Sequence, residues 1–136
     1  MIRLRGRVIR EGKAYGSALV SPEPIGFLGG VDGETGVVVE PGHPLNGQSV
    51  AGKVLVFPTG KGSTVGSYVL YRLAFKGLAP AAIINGSSEA IVAVGAIISN
   101  IPMVDQIDIA RIRTGDEVAI DGEWVAIQRV ARSARR

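Results

Sequence analysis

The run Val54-Leu55-Val56-Phe57 is continuously apolar and is stopped by Pro58. A strand of that kind has to be covered on both faces, and proline, which lacks a backbone donor, ends its pairing. From Thr64 to Lys76 the pattern changes: Val65, Val69, Leu73 and Lys76 recur three or four apart, as do Tyr68 and Arg72. That spacing predicts a helix, with Lys76 as a favourable last-turn cation and Gly77 just past its end. A second short apolar run, Ala81-Ala82-Ile83-Ile84, precedes Ser87-Ser88-Glu89, which opens a second predicted helix reaching Ile98. Gly95 weakens that helix. A strand–helix–strand–helix unit therefore lies at the centre of the chain, and the fold class is α/β.

Strands flank this unit. Arg3 to Arg10 reads as one strand of mixed quality, Glu11-Gly12-Lys13 as a turn and Ala14 to Val20 as the next strand. Ser21-Pro22-Glu23-Pro24 interrupts pairing, Ile25 to Asp32 starts a long glycine-rich excursion, and Thr35 to Val39 reads as a short strand. Pro41 to Gly47 is a loop by its residue types. Pro102-Met103-Val104 resumes an extended path, and Asp108 to Ile112 makes a short helical turn. Glu117 to Ile120 and Trp124 to Ile127 form a predicted hairpin turning at Asp121-Gly122. No second boundary and no internal repeat interrupts residues 1–136, which are expected to form a single domain with layered β/β/α architecture. Strand order stays open.

Composition excludes several classes. Of 136 residues, 46% are apolar and 20% charged, too hydrophobic for a disordered chain. The longest apolar stretches, such as Ile91 to Ile98, fall far short of the roughly 20 residues that span a bilayer, and the start of the chain has no secretory segment. A cytoplasmic protein with no membrane partner is expected. With no cysteine, the chain has no disulfide, no thiol nucleophile and no thiolate-held metal. The one histidine, His43, cannot make a zinc site alone. The net charge of +3 is modest but clustered: Arg3, Arg5, Arg7 and Arg10 near one end, Arg129, Arg132, Arg135 and Arg136 near the other. No recognition helix or aromatic stacking motif accompanies them, so no nucleic-acid partner is expected. Arg3, Arg5 and Arg7 read as the solvated face of an edge strand, and Arg132 to Arg136 as a frayed, solubilising tail. A docking surface for an acidic partner is the alternative.

Chemistry concentrates in the turn Pro58-Thr59-Gly60-Lys61-Gly62-Ser63-Thr64, which joins the buried strand to the helix. The first N–H groups of a helix have no internal partner, and the glycines permit close approaches. Ser63 or Thr64 at the cap and Lys61 beside it bring donors, a hydroxyl and a cation to one place. A well-capped helix explains the same residues. A phosphate-binding P-loop does not, because Lys61 is followed by Gly62 rather than by Ser or Thr. Ser63 as a base needs an electropositive setting or an adjacent base, and His43 lies in a distant loop. The turn therefore reads either as a structural cap or as half an active site.

The stretch Gly52-Lys53-Val54-Leu55-Val56-Phe57-Pro58-Thr59-Gly60-Lys61-Gly62-Ser63-Thr64-Val65-Gly66-Ser67-Tyr68 resembles the small subunit of the aconitase X family. So do Ala79-Pro80-Ala81-Ala82-Ile83-Ile84-Asn85, Glu89, Gly95-Ala96-Ile97, Ile101-Pro102-Met103-Val104-Asp105, and Thr114-Gly115-Asp116-Glu117-Val118 with Asp121-Gly122. The resemblance covers nearly the whole chain. It implies the swivelling β/β/α fold of the aconitase small domain. It also implies pairing with a large aconitase X-type subunit, which holds an iron–sulfur cluster through its own cysteines, none being bound by this chain. The implied activity is that of a hydro-lyase acting on a small hydroxy acid. The chain is most similar to archaeal members that dehydrate (R)-5-phosphomevalonate to trans-anhydromevalonate 5-phosphate in isoprenoid synthesis; other members dehydrate cis-3-hydroxy-L-proline. A non-catalytic docking or assembly domain is the remaining alternative. The resemblance assigns Ser63 as the catalytic proton acceptor, and Lys61, Gly62 and Thr64 are expected to bind substrate or support Ser63. Arg72 lies about 13 Å from Ser63 at about 1.5 Å per helical residue and reads as structural or interfacial. Glu89 reads as a cap or a charge stabiliser of the second helix, and Asp105 as structural rather than functional, with neither role fixed by the sequence. His43 reads as an exposed loop residue or a partner contact.

Overall fold

The computed structural model describes residues 1–130. In chain order the elements are β1 (Ile2–Arg5), β2 (Arg7–Arg10), β3 (Lys13–Val20), a single irregular turn α1 (Phe27–Gly30), β4 (Val54–Phe57) and α2 (Gly66–Phe75). There follow β5 (Ala82–Asn85), α3 (Ala90–Ile98), β6 (Met103–Asp105), one 3-10 turn at Ile109–Arg111, β7 (Glu117–Asp121) and β8 (Trp124–Gln128). The strands form one sheet in the order β1-β8-β7-β3-β4-β5-β6-β2. β3, β4, β5 and β6 run parallel, while β7, β8, β1 and β2 attach antiparallel. β3 is the strand that serves both halves: Lys13 to Ser17 pair with β7, and Ala18 to Val20 with β4.

The apolar runs show why the central strands need covering on both faces. Leu55, Phe57, Ile83 and Met103 pack toward the helices, against Leu70, Leu73, Val92 and Ala96. Their neighbours Val54, Val56, Ile84 and Val104 point the other way, into a second core with Val118, Ile120, Val125 and Ile127 from β7 and β8. The side-chain period of two in a strand thus assigns alternate residues to two cores. The layers are helices, parallel sheet and antiparallel sheet, the β/β/α arrangement expected from the sequence. Complete burial of a side chain such as Leu70 or Ile83 stabilises the fold by about 1.5–3 kcal/mol relative to exposure.

Several sequence expectations are corrected. Arg3 to Arg10 is not one strand: it breaks at Gly6, and its halves lie at opposite edges of the sheet. Gly6 donates its N–H to the Glu123 carbonyl at 2.8 Å. A Cβ there would lie 2.7 Å from Val104 Cγ2 and 2.8 Å from Ile107 Cδ1, so only glycine lets the two edges approach and nearly close the sheet. Thr35 to Val39 makes only isolated bridges, Val31 to Val38 and Val37 to Ser49. α2 begins at Gly66 rather than Thr64, and its buried face is Gly66, Ser67, Leu70 and Leu73, leaving Val65 exposed. The β7–β8 loop is Gly122-Glu123, since Asp121 pairs with Trp124, and the positive φ of 58° falls on Gly122.

The arginines on the edge strands are engaged. Arg3 and Arg5 lie over the Trp124 ring at 5.0 and 5.7 Å, and Arg5 also pairs with Glu123. Arg129 donates Nε to Asp116 Oδ1 at 3.1 Å and Nη2 to Oδ2 at 3.0 Å. Its neighbours Arg132, Arg135 and Arg136, with the expected tail, lie outside the described residues.

Candidate active site

The four parallel strands deliver their carboxyl ends to one side of the molecule. Ser21 to Ile25 leave β3 there, Pro58 to Val65 leave β4, Gly86 to Glu89 leave β5, and Gln106 follows β6. Loops at such ends are where parallel sheets form sites, because the chain is released from pairing while its start stays rigidly held. The Pro58–Val65 turn is fixed from two directions. Ile25 donates its N–H to the Thr59 carbonyl at 3.3 Å, and its carbonyl accepts from Lys61 N–H at 3.1 Å, giving a strand-like bridge to Gly60. From the other side the Glu89 carboxylate caps α3, accepting from Ile91 N–H and Val92 N–H at 2.8 Å each. A Cβ at Gly60 would stand 2.5 Å from Val92 Cγ2 and collide with that carboxylate. Glu89 is thus the helix cap anticipated from sequence and also the floor beneath the turn.

Ser63 is exposed at the crest. Its Oγ accepts from Val65 N–H at 3.1 Å, and its carbonyl accepts from Gly66 N–H at 2.9 Å. Ser63 therefore organises the turn into α2 without being the formal cap, which is Val65. Gly62 takes a φ of 92°, a conformation L-residues with a Cβ rarely adopt. Among the described residues, the backbone N–H groups of Gly62, Ser63 and Thr64 make no hydrogen bond. The crest thus presents a hydroxyl, free amide donors and the positive end of α2 to solvent. Thr64 is exposed beside them. Lys61 is not against Ser63: its ammonium pairs with Glu40 at 2.9 Å, both partly exposed.

The other singled-out residues are structural supports. His43 is 5% exposed, a correction to the exposed-loop and partner-contact readings. Its Nδ1 accepts from Leu45 N–H at 3.0 Å and its Nε2 donates to the Pro24 carbonyl at 3.0 Å, stitching two loops behind the site. Arg72 pairs with Glu34, which also meets Lys76 at 3.0 Å. Asp105 is fully buried and takes a bidentate contact from Arg7 at 3.0 and 2.8 Å. Ser88 adds its N–H at 3.0 Å and its hydroxyl at 2.7 Å. Burial pushes the Asp105 carboxyl up from 3.8, but the Arg7 and Ser88 hydrogen bonds and the Arg7 charge outweigh it and bring it down to about 2.

Two residues escaped the sequence reading. Glu40 sits in a loop with no motif to mark it. Asn85 closes β5, fully buried, donating Nδ2 to the carbonyls of Phe57 and Ile84 at 3.1 and 3.2 Å. It thereby ties the end of β5 to the end of β4 just before the turn, and its Oδ1 has no partner among the described residues. An amide at the end of an otherwise apolar strand was the available signal.

The implied iron–sulfur cluster finds no ligand set here. The chain has no cysteine, and among the described residues no group of three or more His, Asp or Glu side chains is placed to hold a metal ion.

Comparison with known proteins agrees with the fold. Residues 3–128 match the aconitase X swivel domain. The chain is 56% identical over 122 residues to a phosphomevalonate dehydratase small subunit of Thermococcus kodakarensis, covering 90% of this chain and 92% of that one. The corresponding small subunit of Methanocella arvoryzae is 56% identical over 124 residues, covering 89% of this chain and 94% of that one. A crystal structure of the holo-form of Thermococcus kodakaraensis aconitase X superposes with a TM-score of 0.92 at 54% identity, over 93% of this chain and 98% of that one. The chain belongs to the aconitase X swivel-domain family.

Proposed function

We propose that this chain is the small subunit of a two-chain hydro-lyase that dehydrates (R)-5-phosphomevalonate to trans-anhydromevalonate 5-phosphate. The observation that carries the substrate is the identity of 56% to a phosphomevalonate dehydratase small subunit over 90% of the chain. The site adds a physical reason. In this dehydration a C–H bond alpha to the carboxylate breaks, its electron pair forms the C=C bond, and the hydroxyl leaves from the neighbouring carbon. Ser63 Oγ is the proton acceptor. A hydroxyl is a weak base unless its anion is stabilised, and the contact Ser63 Oγ makes with Val65 N–H favours that anion, as does the positive end of α2.

The open amides of Gly62 and Thr64 have the polarity to bind a substrate carboxylate or phosphate oxygen. Lys61 lies at the rim, held by Glu40; a partly exposed pair of this kind contributes about 0–1 kcal/mol, so its ammonium exchanges readily onto an anionic substrate. Among the described residues nothing is placed to take the leaving hydroxyl. That half of the chemistry, with the iron–sulfur cluster the family implies, belongs to a large partner subunit.

The test is an assay of the complex co-expressed with that partner and prepared without oxygen. Turnover of phosphomevalonate, and none of cis-3-hydroxy-L-proline, is the expected outcome. Activity on the proline alone would reassign the substrate, and an active large subunit needing no small one would leave this chain a non-catalytic assembly domain.

A further inference from the structure

α3, Ala90-Ile91-Val92-Ala93-Val94-Gly95-Ala96-Ile97-Ile98, has no polar side chain. A helix apolar on all sides is expected in a core, yet Val94, Ile97 and Ile98 are 48%, 50% and 42% exposed. α2 beside it turns Tyr68, Tyr71 and Phe75 outward, Phe75 to 85%. Two grooves run along this face, sharing Tyr68 as the ridge between them. One, of about 300 Å³, starts at Thr64 and continues between the helices past Ile91, Val94 and Ile98. The other, of about 420 Å³, starts at Val65 and runs to Phe75. A contiguous apolar surface of this kind marks an interaction site.

What covers it follows from where it begins. Thr64 and Val65 are the two residues after Ser63, so both grooves open at the crest of the candidate site. Among the described residues that site is incomplete, with a proton acceptor and amide donors but no group for the leaving hydroxyl. The surface that completes it must abut the same turn. We propose that the large subunit docks on the outer face of α2 and α3, seating apolar side chains in the two grooves and thereby bringing the missing half of the site against Ser63. This rests on the two-subunit reading above. The orientation is what a composite site requires: a surface fixed on the helix that directly follows the reacting residue places that residue more accurately than one fixed on a remote loop.

The test measures binding of the full chain to the large subunit by sedimentation or calorimetry. Val94→Glu and Ile98→Glu place a charge in the groove and are expected to raise Kd at least tenfold, while Tyr15→Ser, on an exposed face of β3, leaves it unchanged. Val94→Ala and Phe75→Ala serve if a charged variant unfolds, and are expected to weaken binding severalfold; thermal unfolding of the free variants checks their fold. Unchanged affinity in folded groove variants overturns the proposal. So does a free chain that is dimeric through this face, with Val94→Glu dissociating the dimer and sparing the complex with the large subunit. The readout is binding, so a complex that assembles yet dehydrates neither acid would sink the functional reading and leave the docking result to stand by itself.

Discussion

At the end of β6 one carboxylate holds three parts of the chain together. Asp105 takes Arg7 from β2 and both Ser88 donors from the loop that precedes α3. Its carboxyl lies at about 2 in the folded protein against an ordinary 3.8, which corresponds to about 2 kcal/mol of stability. A depressed carboxyl contributes fully above the unfolded value, so the contribution is present above about pH 4 and is lost as pH falls through about 2. Asp105→Asn should therefore be less stable than the native chain by about 2 kcal/mol at pH 7, with the difference closing as pH approaches 2. Denaturant unfolding across that range checks it; parallel pH profiles for the two proteins would contradict it. The sequence favours a structural role for Asp105 over a functional one. It does not disclose that the partner is Arg7, which lies 98 residues away. His43 shows the same limit: a lone loop histidine between glycine and proline reads as exposed, and only the carbonyl of Pro24 and the amide of Leu45 explain its burial.

Among the elements, β4, α2, β5 and α3 were legible because their apolar runs and the residues that bound them are local, although the buried face of α2, Gly66, Ser67, Leu70 and Leu73, is not the one its spacing predicts. Gly6 was not. Apolar and polar residues alternate on both sides of it, so the pattern runs on through Gly6, and the break appears only when β1 pairs with β8 and β2 with β6. Register of this kind is set by partners far along the chain, and one glycine decides where the sheet turns from one edge to the other. Gly6→Ala should cost about 3 kcal/mol or more, since its Cβ would meet Val104 and Ile107 at under 3 Å within a nearly closed sheet. Thermal unfolding measures the loss; a variant of native stability would show that the two edges are not held at that corner. In the candidate site the turn itself was legible, as a glycine-framed exit from a buried strand. Its supports, the Ile25 bridge, the Glu89 floor and the Glu40 partner of Lys61, lie between 21 and 36 residues from the turn residues they touch, and left no local pattern.

For the whole molecule, two cores separated by the parallel strands leave a rigid platform whose carboxyl-end loops carry the site. Among the described residues no helix is long and apolar enough to cross a membrane, and the exposed apolar face of α2 and α3 is the surface proposed above for the large subunit. The same face begins at Thr64, next to Ser63, and on the proposed function this joins assembly to chemistry: the chain supplies one reacting hydroxyl and a partner chain the rest. The kcat of the assembled complex carrying Ser63→Ala, measured on phosphomevalonate with subunit assembly verified, tests that claim most directly. Loss of a proton acceptor predicts a fall of about 10²–10⁴-fold with the complex intact; turnover near the native rate would contradict it and return the turn to a purely structural role.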